Sequence, residues 1–363
     1  MNSMKRTLIL LFFIGFQTAV FASAIKEKLS KILDGELAKS KTPGAVLLVS
    51  SPTLGTISVA GGLSEVKDKT PMETTNNFRI ASMSKTFLAV TVLKLVEEDY
   101  FSLDDKIEDL LPDSVDTDRI PNGNLLTVRQ LLQMRSGIPN YTDSDAYYEL
   151  IDKLDEKEWT AQRCVKLVYD EKPNFKPGSS YEYCNTNYLL LQLIVEEATG
   201  KSYAAAIREK ILKPLNMKNT FIEIHESTNE NYLYTNGYTV EDNKLTDVTD
   251  YNDGFGLADG GIISDAEDMK TFVQALLENK TLLPEPLLKT MLSTKDEYGL
   301  GIYYEEFDDD WVWTHNGNSS GFSGQYYYFE DIKLTIIVLT NCFDTDILSN
   351  VVEKVLPIVI SGK

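Results

Sequence analysis

The chain has 363 residues, of which 43% are hydrophobic and 25% charged, an ordinary globular composition that allows a sizeable buried core. Its formal net charge of -20 argues against nucleic acid or an anionic membrane surface as a partner. The three cysteines, Cys164, Cys184 and Cys342, are too few for a fold that depends on disulfides. A bridge between Cys164 and Cys184 is conceivable, but we expect buried free thiols.

The first 24 residues have the pattern of a secretory signal peptide. Lys5 and Arg6 precede an apolar run from Leu8 to Phe21, which is followed by the small residues Ala22-Ser23-Ala24. The apolar run is too short for a comfortable transmembrane helix, and a retained N-terminal anchor is the alternative. We therefore expect cleavage after Ala24, no stable membrane insertion after it, and a periplasmic or secreted protein.

The first third of the chain mixes helix and strand patterns. A helical pattern from Ile25 to Ala38 is followed by two strand patterns, Ala45 to Ser50 and Gly55 to Ala60. A mostly apolar run without Gly or Pro follows Ser82 and predicts a buried helix. Two more helical patterns come next, at Leu103 to Leu111 and at Thr127 to Met134.

The rest of the chain changes from helical to strand-like periodicity. Residues 145–213 are predicted to be mostly helical, with a functional loop from Lys176 to Asn185 as the sharp interruption. A Gly-rich segment, Gly254 to Ser264, precedes a helix from Ala266 to Leu277. The predicted strands and the last helix are Gly299 to Tyr304, Trp311 to Thr314, Gln325 to Phe329, Leu334 to Thr340 and Asp346 to Ile360.

This order of elements predicts an α/β (α+β) fold. Strands at both ends of the chain indicate an antiparallel sheet formed by both chain ends and flanked by helices, plus an inserted all-helical lobe. We place the sheet lobe at about 25–80 and 255–363 and the helical lobe at about 95–250. Both belong to one catalytic domain, residues 25–363.

The stretch Phe78 to Lys85, FRIASMSK, carries the first chemical signal. Ser82 and Lys85 are three residues apart and therefore share one face of the predicted helix. A Ser at a helix start can attack a carbonyl while its free backbone N–H helps to hold the oxyanion. A buried Lys one turn later has a lowered pKa and can accept the hydroxyl proton. The pattern also fits an ordinary N-cap beside a solvated Lys, so the catalytic interpretation needs partners elsewhere.

Two later motifs supply candidate partners. Tyr183 and Asn185 follow a Pro-Gly turn, and a spacing of two on an extended loop puts both side chains on one side. A phenol close to an ammonium can hold a lowered pKa, and an amide can bind a substrate amide and Lys85 together. The sequence His315-Asn316-Gly317 follows a predicted strand, where the glycine allows close approach of a substrate backbone. A buried Tyr, a turn Asn and a structural core histidine are the alternatives.

Taken together, these motifs resemble those of the penicillin-recognising serine hydrolases: class C β-lactamases, secreted DD-carboxypeptidases, D-aminopeptidases and related esterases. That family carries Ser-x-x-Lys, Tyr-x-Asn and Lys/His-x-Gly in this chain order and at comparable separations. Flanking stretches also look similar: FRIAS, LTVRQLLQMRSGIPNY, FKPGSSYEYCN and GLADGGIISDAEDM. The resemblance covers nearly the whole chain after residue 24 and implies a β-lactamase/transpeptidase-like fold.

The resemblance also implies a role for each motif residue. Ser82 is the acylated nucleophile, and Lys85 with Tyr183 passes its proton to the leaving group. The backbone N–H of Ser82 would pair with that of Asn318 as the oxyanion hole. No metal or other cofactor is required. The implied substrate-binding residues are Asn185, His315, Gly317 and Asn318.

Two departures from the family pattern bear on the substrate. His315 stands where class C β-lactamases usually have Lys, which looks more like DD-peptidases, aminopeptidases and esterases. Some DD-peptidases place a basic residue after a Gly-x-Gly strand start to bind a terminal carboxylate. Here Gly299-Leu300-Gly301 runs into Ile302-Tyr303-Tyr304, so the sequence offers no such residue.

The sequence therefore predicts an exported serine hydrolase that works through an acyl-enzyme on Ser82. The leading hypothesis is a DD-carboxypeptidase or D-amino-acid peptidase acting on cell-wall-type peptides, with a carboxylesterase or a class C-like β-lactamase as alternatives. A non-catalytic penicillin-binding sensor or pseudoenzyme is the alternative from another class. The expected partner is a small peptide, ester or β-lactam; the oligomeric state is left open.

Two other hydrolase classes fit the sequence poorly. Residues 317–321 match the G-x-S-x-G elbow of α/β hydrolases, but a strand pattern follows instead of a helix and no later histidine exists. The two histidines, His225 and His315, are too far apart for an H-E-x-x-H zinc helix. We assign His225, which lies in a polar loop, to the surface.

Overall fold

A computed structural model describes residues 22–361 except 152, 155–157, 231, 252, 254, 255, 309, 344 and 345. Most of the predicted signal peptide lies outside the described residues. The strands are β1 (Gly44–Ser51), β2 (Gly55–Glu65), β3 (Thr70–Pro71), β4 (Phe78–Arg79), β5 (Phe221–Ile222), β6 (Tyr238–Glu241), β7 (Lys244–Asp247), β8 (Ile262–Ser264), β9 (Tyr303–Phe307), β10 (Asp310–Ser319), β11 (Phe322–Phe329) and β12 (Leu334–Thr340).

Ten α-helices lie in the described part of the chain. They are α1 (22–37), α2 (Ser84–Glu97), α3 (Val128–Leu132), α4 (Asp145–Ile151), α5 (Ala161–Lys166), α6 (Asn185–Thr199), α7 (Tyr203–Ile207), α8 (Ala266–Val273), α9 (Glu285–Met291) and α10 (Ile347–Ser361). Single π-helical turns, Arg208–Leu212 and Gln274–Glu278, extend α7 and α8. None of the helices in the described residues combines the length and apolarity that a membrane span requires.

Both ends of the chain build the main sheet, as predicted. Its seven strands have the order β3-β2-β1-β12-β11-β10-β9, and β1 pairs antiparallel with β12. Side chains of β1 alternate between two cores: Val46 and Leu48 face the larger one, and Leu47 and Val49 face the smaller one beside α1 and α10. Helices therefore cover both faces of the sheet, which explains why every residue of β1 is buried.

The larger core lies between the sheet and the helices of the middle of the chain. At its centre runs α2, in which eleven of fourteen residues are buried because it is apolar on nearly all sides. Phe87 of α2 stacks on Phe272 of α8 with ring centroids 3.7 Å apart. This packing fixes the helix that directly follows Ser82.

Three sequence predictions need correction. Only one 3-10 turn, Ile107–Asp109, forms in the stretch predicted as a helix from Leu103 to Leu111. Just before it, the Asp105 side chain accepts bonds from the amide and hydroxyl of Ser102, a local alternative to helix formation.

The other two corrections concern strands. The strand predicted from Gly299 begins only at Tyr303, because Gly301 has φ +78° and the amide of Gly299 bonds back to the carbonyl of Ile302 in a turn. The lobe predicted as all-helical, about 95–250, also contains β5 and the β6-β7 hairpin. The expectation of free thiols is confirmed, since Cys164, Cys184 and Cys342 are all buried and unbridged.

The stacked Phe pair generates a stability prediction. We expect Phe272→Ala to lower the free energy of unfolding by about 3–5 kcal/mol, because it leaves a cavity against Phe87. Urea unfolding followed by circular dichroism measures this loss. Tyr100→Ala is the control: its side chain is half exposed, and we expect a change of about 0.5 kcal/mol or less. Equal losses in the two variants would contradict the packing described.

Candidate active site

A short irregular turn presents Ser82. Strand β4 pairs with β8, and the chain then passes through Ala81, which has φ +47°, into the 3-10 turn Ala81–Met83. A left-handed conformation costs an ordinary L-residue about 1–2 kcal/mol, so the surrounding packing must hold it. The turn leads directly into α2, which begins at Ser84. Ser82 is thereby placed, as predicted, at the start of a buried helix.

Lys85 lies in the first turn of α2 and is completely buried. Its ammonium donates hydrogen bonds to Ser82 Oγ at 2.9 Å and to the backbone carbonyl of Asp259 at 2.6 Å. Burial lowers the pKa of Lys85 to about 8, although the carboxylate of Asp259 opposes the shift. The Lys85 amine can therefore lose its proton near neutral pH and accept one from the Ser82 hydroxyl.

Tyr183 also reaches the site, but its pKa moves opposite to the prediction. Burial raises the pKa of Tyr183, and the nearby Ser82 hydroxyl offsets only part of this rise. The ammonium of Lys85 lies 5.0 Å from the Tyr183 ring centroid, over the ring face rather than against the phenolic oxygen. The Tyr183 hydroxyl is buried and makes no hydrogen bond within the described residues. Tyr183 is thus a neutral hydroxyl that can relay a proton, and Lys85 is the candidate base.

Asn185 is the first residue of α6 and lines the site. Its side-chain amide donates to Thr142 Oγ1 at 3.4 Å, and its backbone amide donates to the side chain of Asn140. The hydrogen bond to Lys85 that the sequence suggested does not occur in this structure. The amide of Asn185 is instead held beside Ser82 from the α6 side, in a position to contact a substrate.

The third motif lies within a strand rather than after one. Strand β10 continues to Ser319, so Asn316, Gly317 and Asn318 pair with β11. A Cβ on Gly317 would lie 2.1 Å from the carbonyl oxygen of Ile80 and 3.0 Å from the amide nitrogen of Ser82. Glycine is therefore required for the strand to approach the Ser82 turn this closely. The β10-β11 hairpin also confirms that residues 317–321 are not a nucleophile elbow.

His315 lies behind the pocket wall rather than in it. The ring is fully buried and packs between Tyr298 and Tyr303, with centroids 6.1 and 5.1 Å away. Its Nδ1 donates to the carbonyl of Asn316 at 2.7 Å, and burial lowers the pKa of His315 to about 3. Tyr303 and Asn316 line the wall at this point. The ring is neutral at ordinary pH, and its direct contact with substrate stays a prediction.

Two cavities meet at the nucleophile. The larger has a volume of about 420 Å³, the smaller about 360 Å³, and both are lined by Ser82, Asn185 and Asn318. Asn318 was predicted to supply the second oxyanion-hole amide, and its place beside Ser82 in both cavities supports that role. A substrate carbonyl at Ser82 can therefore extend one group into each cavity.

Sequence reasoning missed two residues of the larger cavity, Asp259 and Tyr141. The Tyr141 hydroxyl donates to Asp259 Oδ2 at 3.0 Å, and the Asp259 carbonyl holds Lys85. Both residues occur in the flanking stretches that resembled the family. Their contact joins positions 118 residues apart, which no local pattern can reveal. His225, by contrast, is exposed as predicted.

Comparison with known proteins agrees with this geometry. A family model described as Beta-lactamase matches residues 29–349. Among solved structures, a D-stereospecific amidohydrolase from Streptomyces sp. is 28% identical, with a TM-score of 0.76 and coverage of 92% of this chain and 98% of that one. D-amino acid amidase from Ochrobactrum anthropi SV3, complexed with D-phenylalanine, is 25% identical, with a TM-score of 0.81 and coverage of 94% and 100%.

A curated relative is longer than this chain. Protein flp of Staphylococcus aureus (strain N315) is 26% identical over 326 residues, which are 87% of this chain and 63% of that protein. The chain thus spans less than two thirds of the length of this relative.

The position of the Tyr183 hydroxyl beside Ser82 leads to a kinetic prediction. We expect Tyr183→Phe to slow acylation of Ser82 by about 10²- to 10⁴-fold, because the proton relay to the leaving group is lost. Stopped-flow or mass-resolved acylation rates measure the effect. Tyr238→Phe is the control, since its hydroxyl accepts from the Val66 amide elsewhere in the fold, and it should acylate at the wild-type rate. A wild-type rate in Tyr183→Phe would remove Tyr183 from the relay.

The contact at Gly317 generates a second prediction for the site. Gly317→Ala should slow acylation by about 10²-fold, because a methyl group forces β10 away from the Ser82 turn. The same acylation assay, run on folded protein verified by circular dichroism, measures this. In Gly35→Ala, the added methyl meets no atom within 4 Å, and the rate should not change. Unchanged acylation in Gly317→Ala would show that this close approach is not needed.

Proposed function

The chain belongs to the beta-lactamase family, and we propose that it is a serine hydrolase that cleaves amide bonds of D-residues in small peptides or amides. The observation that carries this proposal is the contact of Lys85 Nζ with Ser82 Oγ at 2.9 Å, with the buried Tyr183 hydroxyl beside Ser82. A buried amine with a pKa of about 8 can activate a serine hydroxyl without any metal ion.

The proposed reaction has two halves. Neutral Lys85 accepts the Ser82 proton while Ser82 Oγ bonds to the substrate carbonyl carbon, and the backbone amides of Ser82 and Asn318 stabilise the oxyanion. Lys85 then returns the proton through Tyr183 to the leaving nitrogen, the C–N bond breaks, and an ester on Ser82 remains. Water attacks this ester by the reverse proton path, which releases the acid and restores Ser82.

Preference for D-residues is supported by the relatives. The two similar solved structures are named as a D-stereospecific amidohydrolase and a D-amino acid amidase. The third motif, in which His315 replaces the Lys that is usual in class C β-lactamases, looks more like that of DD-peptidases, aminopeptidases and esterases. Ester hydrolysis and slow β-lactam turnover use the same acyl-enzyme and are the alternatives, and a pseudoenzyme would not turn over at all.

Export is a separate part of the proposal. It is supported by the signal-peptide pattern of residues 1–24, in which a basic start, an apolar run and small residues occur in order. We propose a periplasmic or secreted location on that ground. N-terminal sequencing of protein recovered from the producing cell tests the cleavage after Ala24.

Intact mass over time after addition of a penicillin tests the proposed nucleophile. We expect an adduct of one penicillin mass on wild-type protein, mapped to Ser82 by peptide digestion. In Ser82→Ala no adduct forms, and circular dichroism should show an unchanged fold, since only one hydroxyl is lost. A lasting adduct indicates slow deacylation, and rapid drug hydrolysis indicates a β-lactamase. An adduct or drug hydrolysis that persists in Ser82→Ala, or neither adduct nor hydrolysis with the wild-type protein, would contradict the assignment.

A further inference from the structure

The two cavities beside Ser82 differ sharply in charge. Three aspartates, Asp143, Asp253 and Asp259, line the larger cavity, and its one basic lining residue, Arg79, is bound by Glu223 at 2.8 Å. No charged residue in the described part of the chain lines the smaller cavity. Within the described residues, therefore, neither cavity offers a cation in excess of its anions for a substrate carboxylate.

Asp259 is the aspartate in this cavity whose backbone contacts Lys85, the neighbour of Ser82. Its backbone carbonyl accepts from Lys85 Nζ at 2.6 Å, and Lys85 in turn lies 2.9 Å from Ser82 Oγ. Its side chain is held by the Tyr141 hydroxyl through Oδ2 only. The other carboxylate oxygen accepts no hydrogen bond from another described residue, although Asp259 is just 9% exposed. A carboxylate that lines the cavity and is held from one side by Tyr141 can accept a hydrogen bond from a ligand that enters the cavity.

The covalent geometry of an amino acid puts such a donor in reach. In an amino acid amide, the α-nitrogen is two bonds from the carbonyl carbon, about 2.5 Å away. A carbonyl placed for attack by Ser82 therefore carries its α-ammonium within a few ångströms of the nucleophile. The backbone carbonyl of Asp259 lies in that zone, because Lys85 Nζ contacts both this carbonyl and Ser82 Oγ, and Asp259 lines the same cavity as Ser82.

We propose that Asp259, held by Tyr141, binds the free α-ammonium group of the substrate, so that the protein hydrolyses D-amino acid amides and the N-terminal bond of peptides. A peptide with a blocked amine and a free C-terminal carboxylate is then the poorer substrate. This inference rests on the proposed function, since it assigns the substrate class of the same Ser82 site. Binding of an α-ammonium group favours an aminopeptidase or amidase over the DD-carboxypeptidase that was the leading hypothesis from the sequence.

The charge balance of the site fits this assignment. Lys85 must be neutral to accept the Ser82 proton. Burial raises the pKa of Asp259 and the charge of Lys85 opposes this rise, so a neutral Lys85 no longer stabilises the Asp259 carboxylate. A bound substrate ammonium replaces that charge. Substrate binding therefore favours the reactive, neutral form of Lys85.

Paired substrates test the inference. D-alanine p-nitroanilide and N-acetyl-D-alanine p-nitroanilide share a chromogenic leaving group and differ in the ammonium. In wild-type protein we expect the kcat/KM ratio of free to acetylated substrate to be about 10- to 100-fold, the range of a charge-assisted hydrogen bond. Asp259→Asn keeps the size of the side chain and its bond from Tyr141, and should bring this ratio close to one. The ratio cancels any general effect on Lys85 or Ser82.

Asp145→Asn is the matched control. Asp145 lies on α4, is exposed and does not line the cavity, so removal of its charge should leave the ratio unchanged. A wild-type preference for the acetylated substrate would overturn ammonium recognition, and a ratio retained in Asp259→Asn would overturn the role of Asp259. Failure to hydrolyse either substrate, together with a penicillin adduct on Ser82, would also overturn the inference, but the assignment of Ser82 as the nucleophile would remain valid. If neither substrate is hydrolysed and no penicillin adduct forms on Ser82, both the inference and the proposed function are contradicted.

Discussion

Lys85 is completely buried on a helix whose other buried residues are mostly apolar, and its ammonium has two hydrogen-bond acceptors within the described residues. Burial of a charge without full compensation is costly, so burial lowers the pKa of Lys85 and makes the neutral amine easier to reach. This one constraint turns an ordinary lysine into a base at moderate pH. It also means that small changes in the charge around Lys85 change the reactivity of Ser82.

The fold supplies that constraint by joining segments from distant parts of the chain. Helix α2 carries Lys85, the loop before β8 supplies the Asp259 carbonyl, the loop before α6 brings Tyr183, and β10 closes the site through Gly317. The sheet that aligns them is made from both chain ends. Because each segment is held by its own core contacts, the reacting groups are positioned before any substrate binds.

Much of this arrangement could be predicted from the sequence. The strand Leu334–Thr340 has the bounds that its apolar pattern indicated, and Ser82, Tyr183, Asn185 and Asn318 do meet at one site. Strand β10 was predicted too short because Asn and Gly normally end strands, whereas here pairing with β11 continues it. The sign of the Tyr183 pKa shift was wrong because sequence shows which groups are neighbours but not how deeply they are buried. Asp259 was missed because its partners, Tyr141 and Lys85, are more than 100 residues away.

Direct titration of Lys85 tests whether burial lowers its pKa enough for it to act as the base for Ser82. The ¹³Cε chemical shift of labelled lysine, assigned to Lys85 by its loss in Lys85→Arg, reports its protonation across pH 6 to 12. We expect a pKa of about 8, because burial outweighs the attraction of Asp259. A pKa at or above 10.5, the ordinary value for lysine, would contradict it. In that case Lys85 would be a fixed cation, and Ser82 would need another base.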